Sequence, residues 1–148
     1  MKPFLHRGFT LVEMLVVLAI VALVYAMTAP MLSAGFAGVQ LKAAARQVAS
    51  GLRKARNEAM ARKDEVALTV DVEQRQFELT GDKRVYHMPE KVELTLFTAQ
   101  SQLINGKTGS IRFFPDGSST GGRVTLSRGG RKYLVDIDWL TGRVKILE

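Results

Sequence analysis

The sequence predicts an α+β fold in which a long N-terminal helix packs on antiparallel strands, arranged in two small sheets. Two observations support this prediction. Apolar residues recur with helical spacing as far as Lys63, and beyond Glu65 they alternate with polar residues, as in half-buried strands. The start of the helical region is much more apolar than its end, which divides it into residues 9–29 and 30–63 ahead of a β-domain at 64–148.

The first element is an apolar run from Phe9 to Ala29, whose only charged residue is Glu13. As a helix this run is about 31 Å long at ~1.5 Å per residue, which matches a hydrocarbon core of ~30 Å. We therefore expect residues 9–29 to span a membrane. A secretory signal peptide, a plain anchor and a buried core helix are the alternatives. The cleavage site that a signal peptide needs is poor at 26–30, and neither of the other two accounts for Glu13.

Glu13 requires an explanation because an ionised carboxylate in hydrocarbon costs on the order of 2.5 to 3.5 kcal/mol and is normally paired or functional. The surrounding residues are Arg7-Gly8-Phe9-Thr10-Leu11-Val12-Glu13. This stretch resembles the class III signal of type IV pilins and type II secretion pseudopilins. The resemblance implies that a membrane prepilin peptidase removes residues 1–8 as a leader by cutting after Gly8, and methylates the new amine of Phe9. It also implies that Glu13 meets the N-terminal amine of a neighbouring subunit, which supplies its counter-charge.

The second element is an amphipathic helical stretch at 39–63. Its apolar residues step by three or four positions and share one stripe, formed by Leu41, Ala45, Val48, Leu52, Ala55 and Ala59. The small alanine side chains predict close packing on a sheet. Ahead of this stretch, Pro30, Gly35 and Gly38 predict a kink or a soft joint, since proline removes a helical hydrogen bond and each glycine costs ~1 kcal/mol relative to alanine.

Charge is concentrated on the same helix. The chain has a formal net charge of +7, and residues 42–63 carry seven basic side chains against Glu58 alone, whereas residues 64–148 have twelve of each sign. A second stripe beside the apolar one consists of Lys42, Arg46, Arg53 and Arg56. This basic stripe is a candidate contact for acidic faces of neighbouring subunits or for lipid headgroups, and a solvated helix face is the plain alternative.

Segments of period two predict a series of antiparallel strands. We expect them at residues 66–72, 76–80, 84–87, 92–97, 111–114, 123–127, 131–138 and 143–147. Polar loops at 98–110 and 118–122 interrupt the series, and Pro115-Asp116-Gly117 is a strong turn signal. One face of the strand at 131–138 carries Tyr133, Val135, Ile137 and Trp139. Trp139 is therefore expected to be buried over the sheet.

Three segments narrow the choice among pilin-like proteins. They are Leu52-Arg53-Lys54-Ala55-Arg56-Asn57-Glu58-Ala59, Phe114-Pro115-Asp116-Gly117-Ser118-Ser119-Thr120-Gly121-Gly122 and Asp138-Trp139-Leu140-Thr141-Gly142-Arg143-Val144. Together with the leader, these segments resemble the H-class minor pseudopilins of type II secretion. The resemblance implies a pilin-like structural subunit, at or near the tip of a pseudopilus, that supports export of folded proteins across the outer membrane. Minor pilins of type IV pili, which serve pilus assembly or DNA uptake with DNA binding, are the alternative.

An enzyme is disfavoured by what the sequence lacks. It has no cysteine, His87 is the only histidine outside the leader, and no glycine-rich phosphate loop lies between a strand and a helix. No catalytic residue and no cofactor is predicted. A calcium site at Asp116, Asp136 and Asp138 is conceivable, but no ligand-rich loop accompanies these residues. Solvated carboxylates are therefore favoured, and no metal is expected.

Nucleic-acid binding is the competing class of function. Phosphate contacts would come from a local basic patch of Arg123, Arg128, Arg131 and Lys132. The β-domain as a whole is neutral, however, and the excess charge lies on the helix. Nucleic acid is therefore not favoured as a partner.

The basic residues ahead of the apolar run, Lys2 and Arg7, place the N-terminus in the cytoplasm. We expect a single pass through the inner membrane, with the β-domain in the periplasm and incorporated into a pseudopilus. The partners that the resemblance implies are the other minor pseudopilins, the major pseudopilin and the prepilin peptidase. The secreted substrate or the outer-membrane secretin is a further expected contact.

Overall fold

The computed structural model describes residues 9–98 and 107–148, and includes the side chains of all of these except 28–37. The predicted leader at 1–8 and most of the predicted loop at 98–110 lie outside the described residues. The chain divides into two compact units, Met1–Phe36 and Ala37–Glu148. The division falls within the long helix, beyond the boundary after Ala29 that the sequence predicts.

A single helix, α1, comprises the 52 residues Leu11–Arg62. It continues through Pro30, Gly35 and Gly38 without a break in its secondary structure. Among the described residues, no helix is both long enough and apolar enough to cross a membrane.

The C-terminal end of α1 has the hydrogen bonding of a Schellman motif. Lys63 adopts a left-handed φ of 54°, and the N–H of Asp64 donates to the carbonyl oxygen of Ala59 at 3.3 Å. This bond satisfies one of the carbonyl groups that a helix end leaves without a helical partner. It also turns the chain into the first strand.

Within residues 9–98 and 107–148, eight antiparallel strands form two four-stranded sheets, which confirms the predicted α+β fold with two small sheets. The first sheet has the order β3-β2-β1-β5 and the second the order β4-β6-β7-β8. The strands are β1 (Val66–Asp71), β2 (Gln76–Leu79), β3 (Val85–His87), β4 (Glu93–Phe97), β5 (Thr108–Phe113), β6 (Gly122–Arg128), β7 (Arg131–Ile137) and β8 (Val144–Leu147).

Burial along β1 alternates strictly, as its period of two predicts. Val66, Leu68 and Val70 are buried, and Leu68 lies opposite Leu79 of β2 and Ile111 of β5. The predicted strand at 111–114 begins earlier than expected, because β5 pairs with β1 from Thr108 onward. The polar start of β5 belongs to the strand because backbone groups can pair without an apolar side-chain pattern.

The core of the second unit lies where α1 meets both sheets. All six residues of the predicted apolar stripe, from Leu41 to Ala59, are fully buried or nearly so. The helix approaches β2 closely at Gly51, where an added Cβ would lie 2.7 Å from a ring carbon of Phe77. Both sheets contribute to this single core, for example through Leu68 and Leu126. Each such leucine contributes about 1.5–3 kcal/mol when fully buried.

The prediction that Trp139 is buried over the sheet is wrong. Its side chain is 67% exposed, because β7 ends at Ile137 and the strand alternation ends with it. The carboxylate of Asp138 accepts hydrogen bonds from the N–H groups of Leu140 and Thr141 at 3.0 and 2.8 Å. These bonds form a turn that directs Trp139 outward.

Candidate assembly surfaces

The beginning of α1 is a capped helix end. Thr10 is the N-cap residue, and its hydroxyl accepts a hydrogen bond from the N–H of Glu13 at 3.2 Å. The carbonyl oxygen of Thr10 also accepts the first helical bond, from Met14 at 3.2 Å. The sequence signal for this cap is Thr-x-x-Glu ahead of an apolar run, a signal that the predicted role of Glu13 did not include.

Glu13 lies in the first turn of α1 with its side chain exposed. The helix N-terminus carries a partial positive charge, and an acidic residue there is stabilising by typically ~0.3–1 kcal/mol. Among the described residues, none donates a hydrogen bond to the Glu13 carboxylate. Of the predicted processing site, Phe9 is exposed, and Gly8 lies outside the described residues.

Every residue from 9 to 27 is exposed, although this segment is almost entirely apolar. The exposed side chains lie on all sides of the helix rather than on one stripe, and include Leu11, Val12, Leu18, Leu23 and Tyr25. A helix that is apolar on every side is normally surrounded by other protein or by lipid.

Three residues of the predicted basic stripe contact the β-domain of their own chain. Arg56 Nε donates to the carbonyl oxygen of Gly117 at 3.0 Å, and Arg53 Nη2 donates to that of Val144 at 3.3 Å. Lys42 lies 3.6 Å from the carboxylate of Glu148. Arg46 is exposed and makes no ion pair or side-chain hydrogen bond within residues 9–98 and 107–148. The stripe is therefore partly a connection between α1 and the second sheet.

A cleft of about 300 Å³ lies between α1 and the turn that joins β7 to β8. Its lining residues are Arg53, Arg56, Asn57, Gly142, Arg143 and Val144. We call it the arginine cleft. The sequence pattern placed Arg53 and Arg56 on one helix face, but it gave no signal that Arg143, far along the chain, joins them.

The close packing behind the arginine cleft depends on Gly142. This residue has a φ of +61°, and a Cβ added there would overlap the carbonyl oxygen of Gly117 and lie 2.9 Å from Arg56 Nε. The turn that carries Gly142 is stabilised by Asp138, whose side chain caps it. A residue without a side chain is thus required where the β7–β8 turn meets the β5–β6 turn and the helix.

The three carboxylates of the conceivable calcium site have other partners. Asp116 accepts from the hydroxyl and the N–H of Ser118, and these bonds hold the pKa of Asp116 below its usual value. The pKa of Asp138 is likewise lowered, first by the backbone N–H of Thr141 and then by its hydroxyl. Asp136 pairs with Arg123 at 2.9 Å. No cluster of three potential metal ligands occurs in the described part of the chain.

Three of the four residues named for a nucleic-acid patch contact other residues of their own chain. Arg123 is paired with Asp136, and Arg128 donates a hydrogen bond to Gln40 of α1. The guanidinium of Arg131 lies against Gly38, where it would contact an added Cβ. These arginine side chains therefore connect β6 and β7 to each other and to α1.

An ion-pair network connects α1 to the first sheet. Lys54 Nζ donates to Asp82 at 2.7 Å, and this hydrogen bond is the main reason that the pKa of Asp82 is lowered and that of Lys54 is raised. The hydroxyl of Tyr86 also donates to Asp82, at 3.2 Å. Glu58 pairs with both Lys54 and Arg62 one helical turn away on either side.

Comparison with known proteins identifies relatives for both parts of the chain. A family described as type II transport protein GspH matches residues 44–141, and the prokaryotic N-terminal methylation motif matches residues 4–29. The type II secretion system protein H of Xanthomonas campestris pv. campestris is 35% identical over 141 residues, which cover 94% of this chain and 82% of that protein.

Two kinds of solved structure share the fold. The minor pseudopilin EpsH of the Vibrio cholerae type 2 secretion system matches with a TM-score of 0.58 and 15% identity, over 73% of this chain and 96% of that one. The type IV minor pilin FimU of Pseudomonas aeruginosa matches with a TM-score of 0.56 and 12% identity, over 73% of this chain and 88% of that one. At these identities the two matches establish the pilin-like fold.

Proposed function

Because this chain belongs to the GspH family of type II transport proteins, we propose that it is a subunit at or near the tip of a periplasmic pseudopilus. It is a minor pseudopilin of type II secretion, as its leader and C-terminal region predict, and the family is structural rather than enzymatic. In this proposal it supports the export of folded proteins across the outer membrane. Its mechanism is assembly with other pseudopilins.

The observation that carries the proposal is the exposed apolar surface of α1 from residue 9 to residue 27. Burying one large apolar side chain contributes about 1.5–3 kcal/mol, and this segment exposes more than a dozen of them. A membrane can cover the segment before assembly, and the equivalent helices of neighbouring subunits can cover it afterwards. We place the N-terminus in the cytoplasm and the second unit in the periplasm.

Processing prepares the segment for assembly. Cleavage between Gly8 and Phe9 removes the basic residues of the leader and creates a free amine at Phe9, next to the first turn of α1. The exposed Glu13 carboxylate then has the charge and the position to pair with the amine of a neighbouring subunit. In an apolar bundle an unpaired carboxylate is strongly disfavoured, so this pairing sets the axial register of the subunit.

A DNA-uptake role is the less favoured alternative. Phosphate binding requires cations that are free to reach the backbone of the nucleic acid. Arg123 and Arg128 instead bond within the chain, to Asp136 and Gln40.

The test is a deletion strain complemented with the wild-type chain or with a Gly8→Val variant, which blocks the cut site. Export of type II substrates into the medium and uptake of labelled DNA are measured in parallel. We expect deletion to lower export at least tenfold and to leave DNA uptake unchanged. The uncut variant should behave like the deletion. Normal export after deletion, or a loss of DNA uptake alone, would contradict the proposal.

A further inference from the structure

The arginine cleft brings three guanidinium groups to one place, and no carboxylate is among its described lining residues. Within the described residues, none of Arg53, Arg56 and Arg143 forms an ion pair, although Lys42, Lys54, Arg62, Arg112 and Arg123 all do. The remaining lining residues, Asn57, Gly142 and Val144, carry no charge. The cleft is therefore a local excess of positive charge on a unit whose β-domain is neutral.

Most hydrogen-bond donors of these arginines are unused in the described chain. A guanidinium has five N–H donors in a fixed plane. Arg56 donates one hydrogen bond, from Nε to the carbonyl oxygen of Gly117, and Arg53 donates one, from Nη2 to that of Val144. The side chain of Arg143 makes no hydrogen bond to another described residue. The two committed bonds hold Arg53 and Arg56 in place, and the remaining N–H groups stay available.

Three like charges that share one cleft repel each other, and the repulsion grows as water is excluded. The two bonds that Arg53 and Arg56 make go to backbone carbonyl groups, which do not neutralise the charge of either guanidinium. An anion in the cleft would convert this repulsion into attraction. Arginine is well suited to the purpose, since its planar donors bind carboxylate or phosphate oxygens in pairs.

The size and surroundings of the cleft favour a carboxylate of a protein over a nucleic acid or a membrane. Nucleic acid needs cations spread along several phosphates, together with stacking aromatic rings when it is single-stranded. Here the three cations line one cleft of about 300 Å³, and none of the described residues in its lining is aromatic. That volume accommodates one or two acidic side chains.

We propose that the arginine cleft is a docking site for acidic side chains of a neighbouring pseudopilin in the fibre. The inference rests on the proposed function, because it requires that the chain assemble with other subunits. It assigns to Arg143, together with Arg53 and Arg56, the recognition of Asp or Glu carboxylates on the partner. Arg56 also makes a partly buried bond to Gly117, whereas the bond of Arg53 to Val144 is longer and exposed, so Arg53 and Arg143 are the informative positions for substitution.

The ligand chemistry can be tested with the full chain in a non-ionic detergent. The probe is a fluorescent tetra-glutamate peptide with blocked termini, compared with a 20-base-pair DNA duplex and with phosphatidylglycerol vesicles. We expect Arg53→Gln/Arg143→Gln to bind the peptide at least tenfold more weakly than wild type, and the single variant Arg143→Gln at least threefold. The matched control is Lys132→Gln, which removes an exposed cation outside the cleft and should change the affinity less than twofold.

Peptide binding by the double variant within twofold of wild type would overturn the proposal, and so would an equal loss in the Lys132→Gln control. A loss of DNA or vesicle binding alone would assign the cleft to another class of partner and would also overturn it. Circular dichroism spectra matching wild type show that each variant is folded.

Co-purification after cross-linking in cells then separates this inference from the proposed function. If wild type and Lys132→Gln co-purify with the other pseudopilins and the double variant does so at least fivefold less, the docking site is supported. If all three co-purify equally, the docking site is refuted and the proposed function remains. If wild type co-purifies with no pseudopilin, the proposed function itself fails, and the docking site with it.

Discussion

The Nε atom of Arg56 lies 3.0 Å from the carbonyl oxygen of Gly117, which is 61 residues away along the chain. The bond fixes α1 to the turn between β5 and β6, and Gly142 of the β7–β8 turn packs against the same two groups. One side chain thus joins the helix to two turns of the β-domain. Both turns belong to the segments that resemble the H-class pseudopilins.

We predict that Arg56→Met lowers the free energy of unfolding by about 1.5–3 kcal/mol, because it removes a charged donor from a partly buried carbonyl group. Arg53→Met is the matched control. It also removes one guanidinium from the arginine cleft, but its bond to Val144 is longer and exposed, so we expect a loss of less than ~1 kcal/mol. Urea unfolding of the full chain in non-ionic detergent, followed by circular dichroism, measures both. Equal losses in the free energy of unfolding would show that the Arg56–Gly117 bond stabilises the fold no more than the Arg53–Val144 bond does.

A second prediction concerns Gly142 and uses Gly129 as its control. Both residues have left-handed φ angles, of 61° and 58°, but an added Cβ meets nothing within 4 Å at Gly129 and overlaps Gly117 at Gly142. Gly129→Ala should therefore lose only the backbone term of about 1–2 kcal/mol. Gly142→Ala should lose a further ~1–3 kcal/mol through the steric overlap. The urea midpoints of the two variants give the comparison, and equal midpoints would contradict the close approach of Gly142 to Gly117.

The sequence predicted the fold well because its apolar pattern is local. The helical stripe from Leu41 to Ala59 and the alternation in β1 each arise within one element, and both are observed. The placement of Trp139 was wrong because the alternation of β7 was extended past its end, where Asp138 forms a side-chain-capped turn. The Asp-x-x-Thr-Gly sequence at 138–142 is the local signal that marks that turn.

The arginine cleft could be predicted only in part. Helical periodicity placed Arg53 and Arg56 on one face, but the carbonyl groups they bond to are 91 and 61 residues away in the chain. Those contacts depend on how the two turns of the β-domain meet the helix. Neither composition nor periodicity contains that information, and the same holds for the position of Arg143.

A third prediction concerns acid stability. The hydrogen bond from Lys54 lowers the pKa of Asp82 below its usual value of 3.8, so the folded state binds the proton less readily than the unfolded state. The stabilisation is therefore complete above about pH 3.8 and is lost as the pH falls through the lower folded pKa. We expect Asp82→Asn to reduce the loss of stability in this range, measured as urea midpoints against pH.

Lys54→Met provides the control for the acid effect. It removes the main cause of the lowered pKa of Asp82, so it should reduce the same pH dependence in part. The double variant should show no further reduction beyond that of Asp82→Asn alone. Some acid dependence should remain, because the pKa values of Asp116 and Asp138 are also lowered. An Asp82→Asn profile with the wild-type slope would contradict the assignment.

The last prediction separates two roles of Glu13. Its N–H is bonded to the hydroxyl of Thr10 in the helix cap, and its exposed carboxylate is proposed to pair with a neighbouring amine. Glu13→Gln keeps a side chain that suits a capping box and loses only the charge. We expect it to be inserted and cleaved normally, but to co-sediment with the pseudopilus several-fold less than wild type.

Thr10→Ala loses the cap, which weakens the helix start by about 0.5–2 kcal/mol, but it keeps the charge and should assemble. The reverse result, with Glu13→Gln assembled and Thr10→Ala excluded, would mean that Glu13 acts through the helix cap rather than as a counter-charge.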